Sequence, residues 1–220
     1  EGTLGIATEI KVNIAKQLKH TGLCIIHVHD MIESLKSIEE MLAFHPVSLE
    51  MIDDHILEMG KLSPTVKNKL GWLQGNPQAV FVAEFTSDSF SEVNNKLLCF
   101  KNRMASTSIG YAFTVLNDPE QMKHVWEIRK AGLGLLLSKR SYNRAIAFIE
   151  DLSVEPKHLS SFIKRLKHYL KDMGKDVGIY GHIGSGCMHI RPFIDLRNPD
   201  DVTQLKQIMH DVAAMVLAFS

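Results

Sequence analysis

Only four residues, Ile183-Gly184-Ser185-Gly186, separate two apolar runs at 177–182 and 187–196. A parallel pair of strands needs a crossover of a dozen or more residues, so these two runs are expected to pair antiparallel, as a hairpin. Upstream, strand-like apolar runs at 23–29, 47–52, 79–85, 108–115 and 145–152 alternate with helical patterns. Asp30 suits an N-cap ahead of Met31, Ile32, Leu35, Ile38 and Leu42 at helical spacing. A second helix starts near Asp88, and Asp118-Pro119 places a cap and a first-turn proline before a third. The clearest helix covers 156–173, where Leu159, Phe162, Ile163, Leu166, Tyr169, Leu170 and Met173 form one stripe and lysines the opposite, solvated face. A last helix begins at Asn198-Pro199-Asp200, and residues 61–77, with two glycines and two prolines, read as a loop. Short connections among alternating strands and helices predict an α+β fold with a mixed or antiparallel sheet and helices mainly on one face. The strand–helix rhythm recurs in the two halves without a residue-level repeat.

Charge and cysteine usage narrow the function classes. Lys+Arg and Asp+Glu are both 25, and this balance disfavours a nucleic-acid binder, which carries a basic excess. No apolar run approaches the ~20 residues that span a bilayer. The opening Glu1-Gly2-Thr3 has neither a basic stretch nor an apolar run, so no signal peptide is expected there, and the absence of Met suggests a fragment. Cys24, Cys99 and Cys187 form no C-x-x-C pair, which favours a reducing, cytoplasmic setting over a disulfide framework.

The chemistry concentrates in Tyr180-Gly181-His182-Ile183-Gly184-Ser185-Gly186-Cys187-Met188-His189-Ile190-Arg191-Pro192. Side chains alternate along a strand, so His189 and Arg191 share a face, and His182 can reach across the turn toward His189. Two imidazoles and a guanidinium at a glycine-lined bend can hold a divalent metal beside a carboxylate. The same hairpin is equally compatible with histidines that only cap backbone groups. Arg129, by pattern alone, reads as a surface arginine. Glu150-Asp151 fit either a helix cap or a pair orienting a histidine. His27 and His29 alternate on one strand, which reads as an edge facing water, and Gly132 and Gly134 read as helix-end residues. The cysteines default to small core hydrophobes.

Four segments together resemble the C-terminal domain of FAD-linked oxidases, a family that includes D-lactate dehydrogenases, the glycolate oxidase D subunit and D-2-hydroxyglutarate dehydrogenase. GHIGSGCMHIRP is similar to the family's G-H-x-G-x-G-x-x-H motif, Trp126 to Lys130 to a helix bearing a substrate-binding Arg, and Ala147 to Pro156 to the next core strand. Glu1 to Glu9 resembles the end of the preceding FAD-binding domain. The resemblance implies a ferredoxin-like substrate (cap) domain over 16–220, stopping before its end, and a flavin-domain tail over 1–15. It implies FAD contacts from Glu1, Gly2, Thr3, Gly5 and Ile6, with FAD held mainly by another domain. It assigns catalytic and metal-binding roles to His182 and His189, for zinc or manganese, and substrate-binding roles to Arg129 and Arg191. A Glu from a later G-E-H segment completes the family's ligands, and no such segment occurs up to Ser220. Ser185 stands where the family often has Asp, and Ile149 where hydroxyglutarate-type members have a substrate Lys. Cys187 with Arg191 resembles the long fusions that carry an iron–sulfur domain. The implied partners are a small 2-hydroxy acid, a flavin domain of the same chain, and an iron–sulfur domain or quinone as electron acceptor, in a cytoplasmic setting or peripheral to the inner membrane. The isolated chain is expected to be inactive. A non-catalytic interaction or metal-sensing module would share the hairpin but have no use for the segment 1–9.

Overall fold

The computed structural model describes residues 5–138 and 141–219. The first strand, β1 (His20–Val28), pairs antiparallel with two neighbours and is buried along nearly its whole length. Leu23 and Ile25 enter one apolar core and Cys24, Ile26 and Val28 another. Burial on both faces explains why the run reads as continuously apolar rather than alternating.

The chain continues through α1 (Met31–Leu35), α2 (Ile38–Leu42), β2 (Ser48–Asp53), α3 (Asp54–Leu62), β3 (Ala79–Ser87), α4 (Phe90–Ser106) and β4 (Ala112–Leu116). The sheet order β4-β1-β3-β2, with α1 and α2 between β1 and β2 and α4 between β3 and β4, is the β-α-β-β-α-β ferredoxin-like arrangement with α3 inserted. The long α5 (Pro119–Leu137) leads to β5 (Arg144–Ala145), β6 (Ile149–Ser153), α6 (Leu159–Asp172), β7 (Val177–His182), β8 (Cys187–Ile194) and α7 (Pro199–Leu217). Here the order β7-β8-β6 repeats the β2-β3-β1 part of the first half, so the rhythm noted in sequence is a repeat of topology. The halves join where Met51 and Ile52 of β2 face Gly181 and Tyr180 of β7. Every ladder among the described residues is antiparallel.

Five helices, α1, α2, α4, α6 and α7, bury their stripes in one core, with Phe100 and Phe162 fully enclosed. Helices α3 and α5 cover part of the opposite face through Ile56, Leu57, Val125, Ile128 and Leu136. The caps follow the sequence: Asp30 accepts from the Glu33 N–H and Asp118 from the Gln121 N–H.

Several local expectations shift. The loop expected at 61–77 takes its first two residues from α3, which Asp53 caps, and includes a 3-10 turn at Lys67–Lys69. The single strand expected at 145–152 is split into β5 and β6, both on β8, with a register shift after Ile149 and a left-handed Asp151 (φ 54°). β1 is an interior strand, so His27 is fully buried rather than facing water, while His29 is exposed and stacks on Tyr111 at 4.0 Å. Gly132 and Gly134 lie inside α5. Cys24 is buried, but Cys99 is exposed on α4.

Candidate functional site

The period of two along β7 and β8 places Tyr180, His182, His189 and Arg191 on the face that α5 crosses. Register sets Tyr180 opposite His189 and Gly178 opposite Arg191, and the rings of His182 and His189 lie 5.5 Å apart, edge to face. Gly186 closes the turn in the left-handed conformation (φ 71°) that glycine adopts without steric cost. The structure thus brings His182, His189 and Arg191 together on one face, and α5 adds Arg129.

Glu50, which sequence reasoning passed over, connects these parts. It lies in the middle of β2, 7% exposed. Its Oε1 accepts from His182 Nδ1 at 2.7 Å, and its Oε2 accepts from Arg129 Nε at 3.0 Å, with Arg129 Nη2 at 2.9 Å. A carboxylate inside the apolar run Ser48–Asp53 was the available signal, because a buried charge needs a partner. Tyr180 forms the floor: Arg129 stands over its ring at 4.9 Å, and the His189 ring is 4.9 Å away.

Arg191 is the most deeply buried cation of the group, 2% exposed. Its Nη2 donates to Glu150 and, at 3.4 Å, to the Tyr180 hydroxyl. Its Nε and Nη1 are buried with no hydrogen-bond partner among the described residues. Buried guanidinium nitrogens left without partners in this way are costly unless an acceptor completes them. The Arg191 bond also holds the Glu150 carboxyl below its ordinary range.

His189 is a third contact point. Its Nδ1 lies 2.9 Å from Asp151 Oδ1, but off the hydrogen-bonding axis, so this is an ionic approach without an aligned bond. The left-handed backbone at Asp151 brings that carboxylate to the rim. Burial first, then the neighbouring Arg129, pushes the His189 imidazole below its ordinary value, which favours the neutral ring that accepts a proton or binds a metal. Glu150, Asp151 and His189 offer ligand atoms within 4.8 Å of one another. This donor set of imidazole and carboxylates suits a divalent ion.

Of the residues expected at the flavin, Glu1, Gly2 and Thr3 lie outside the described residues. Gly5 and Ile6 stand in an exposed extended stretch, and a Cβ on Gly5 would meet nothing within 4 Å, so these two form no cradle with other described residues. No helix among the described residues is long and apolar enough to cross a membrane.

A family model described as FAD linked oxidases, C-terminal domain, matches residues 19–220. A D-2-hydroxyglutarate dehydrogenase of Pseudomonas putida is 27% identical over 98% of this chain, and one of Escherichia coli is 25% identical over all of it. The chain spans 22% of the length of each of these two relatives. A mitochondrial D-lactate dehydrogenase (cytochrome) of Arabidopsis thaliana is 24% identical over 96% of the chain and 35% of its own length. Among solved structures, p-cresol methylhydroxylase with substrate bound matches with a TM-score of 0.62 at 10% identity, over 89% of this chain and 43% of that one. A 4-ethylphenol oxidase from Gulosibacter chungangensis matches over the same shares with a TM-score of 0.60 at 10% identity. These two likenesses show the fold.

Proposed function

The chain belongs to the family of FAD-linked oxidase C-terminal domains, and on that premise we propose that it is the substrate-binding part of an FAD-dependent D-2-hydroxy-acid dehydrogenase of the D-lactate, glycolate or 2-hydroxyglutarate type. The single observation that carries this reading is Arg191, buried with two unpartnered guanidinium N–H groups beside a pair of imidazoles. A carboxylate oxygen is a natural acceptor for either nitrogen, and the alcohol of a 2-hydroxy acid, one carbon away, would then lie near the histidines.

In this reading Arg191 grips the substrate carboxylate, and Arg129, held by Glu50, adds positive charge from α5. The neutral His189 imidazole accepts the hydroxyl proton as C2 gives up a hydride. FAD, when bound, supplies the hydride acceptor, and it would be held mainly by a flavin domain whose tail would be residues 1–15. In the alternative metal-bound form, His182 and His189, with Asp151 and Glu150 adjacent, would hold a zinc or manganese ion that would lower the hydroxyl pKa, and His189, its lone pair on the ion, would not be the base. Electrons would pass on to an iron–sulfur domain or a quinone.

The test is direct on this chain. Addition of D-2-hydroxyglutarate, D-lactate or glycolate should shift the side-chain NMR signals of Arg191 and His189, and L-2-hydroxyglutarate should do so far less. If none of the acids moves either signal at millimolar concentration, with and without zinc, the reading is wrong.

A further inference from the structure

We infer that Glu50 is the positioning residue of this site: it fixes the tautomer of His182 and, with the same carboxylate, the orientation of Arg129. Its purpose rests on the functional reading above, but its action is a property of the chain alone.

The chemistry follows from what each group can donate. An ionised carboxylate only accepts hydrogen bonds, so the 2.7 Å contact between Glu50 Oε1 and His182 Nδ1 requires the proton on Nδ1. A neutral ring then has its lone pair on Nε2, the nitrogen free of hydrogen bonds among the described residues. The half-exposed ring thereby keeps Nε2 for a proton or a metal, while the buried carboxylate behind it sets its angle. The second oxygen accepts from Arg129 Nε at 3.0 Å, and Arg129 Nη2 stands 2.9 Å away as an ionic contact without an aligned bond. Side-chain exposure is 9% for Glu50 and 11% for Arg129, so their pairing is shielded from water.

Three elements meet in this one side chain: β2 supplies the carboxylate, α5 the guanidinium and β7 the imidazole. Glu50 is next to Met51, which pairs with Gly181, the residue before His182. The anchor therefore stands one residue from the junction of the two halves, where a small shift would separate the groups on either side. Its neighbour Glu84, on β3, is pushed up by burial and by the charge of Glu50, and it is satisfied by Ser48 rather than by any group of the site.

The experiment reads the ring nitrogens of His182 by 15N NMR on this 220-residue chain, at pH about 9, well above the ordinary imidazole range. The native chain should show a protonated, pyrrole-like Nδ1 and a pyridine-like Nε2. In Glu50→Gln the amide oxygen should stay with the charged Arg129, which turns the amide NH2 toward His182. Because that group can only donate, Nδ1 must become the acceptor and the tautomer should invert to Nε2–H. Glu50→Leu offers neither partner and should give a mixture of both forms, and Arg129→Met, which spares the carboxylate, should keep the native one. A native chain with the proton on Nε2, or a tautomer unchanged in Glu50→Gln and in every folded Glu50 variant, would overturn the assignment. Neither result requires flavin, metal or substrate, so a failure here is distinct from a failure of the proposed function.

Discussion

Substituting Gly186 by alanine should unfold the site from its turn, and the cost can be worked from the backbone. Gly186 sits at φ 71°, where an alanine costs about 1–2 kcal/mol relative to glycine. The larger effect is a collision: a Cβ built there lies 1.8 Å from the backbone oxygen of Val154, against the 3.0 Å that real Cβ contacts respect. The turn would have to withdraw by more than 1 Å, and backbone atoms, unlike a side-chain tip, cannot rotate away. Withdrawal breaks the bond from Val154 N–H to Gly186 O, worth about 1 kcal/mol. The total is about 2–3 kcal/mol. Gly174 supplies the control, since it has a similar φ of 68° but nothing within 4 Å of a Cβ. Gly174→Ala should therefore lose only the conformational part, about 1–2 kcal/mol. Guanidinium unfolding of both variants by linear extrapolation measures the difference. If the two variants differ by less than about 0.5 kcal/mol, the turn is free to move and the close packing of hairpin against Val154 is wrong.

Arg191→Met should weaken any binding of D-2-hydroxyglutarate by about tenfold or more, the loss expected for hydrogen bonds to a charged group, as read from the NMR titration; unchanged affinity would place the carboxylate elsewhere. Stability should peak near pH 6.5. Burial holds the folded His27 below 6.5, so the unfolded chain takes up that proton first and stability falls as pH drops below 6.5. His55, held up to about 11 by Asp53 and Asp54, contributes stability that is complete below 6.5 and is lost as pH rises from there toward 11. Urea midpoints that climb steadily from pH 5 to 9 would contradict both assignments. Phe162→Ala removes a fully enclosed ring beside Phe219 and should cost about 3–5 kcal/mol by the same unfolding assay, and a loss under 1 kcal/mol would mean the core collapses around it.

Much of the fold was legible because its signals are local. The four-residue turn at 183–186 dictated the β7–β8 hairpin, and Asp30, Asp118 and Asn198 announced their helices through the side-chain bonds they make. The register shift of β6 against β8 left no such mark, since it coincides with a left-handed Asp151 in a run that reads as one continuous strand. His27 misled for a related reason: periodicity reports alternation but not whether a second neighbouring strand covers the edge. At the site, His182, His189 and Arg191 stand within ten residues of one another and share a face by period alone. Glu50 is 132 residues from His182, so only the tertiary structure could pair them.

The position of the site follows from the way the two halves meet. Each half ends its sheet in an edge strand, β2 or β7, and a sheet edge is a row of unpaired donors and acceptors that folding must cover. Joining β2 to β7 covers both, but the register pairs only Met51–Gly181 and Ile52–Tyr180, so the ladder stops short of the turn, where a Cβ on Gly184 would lie 3.1 Å from that of Leu49. Just past the last pair stand Glu50 on one strand and His182 on the other, joined by a side-chain bond where the ladder has stopped. The site is therefore built where backbone pairing between the halves ends, with Arg129 entering from the helix that links them.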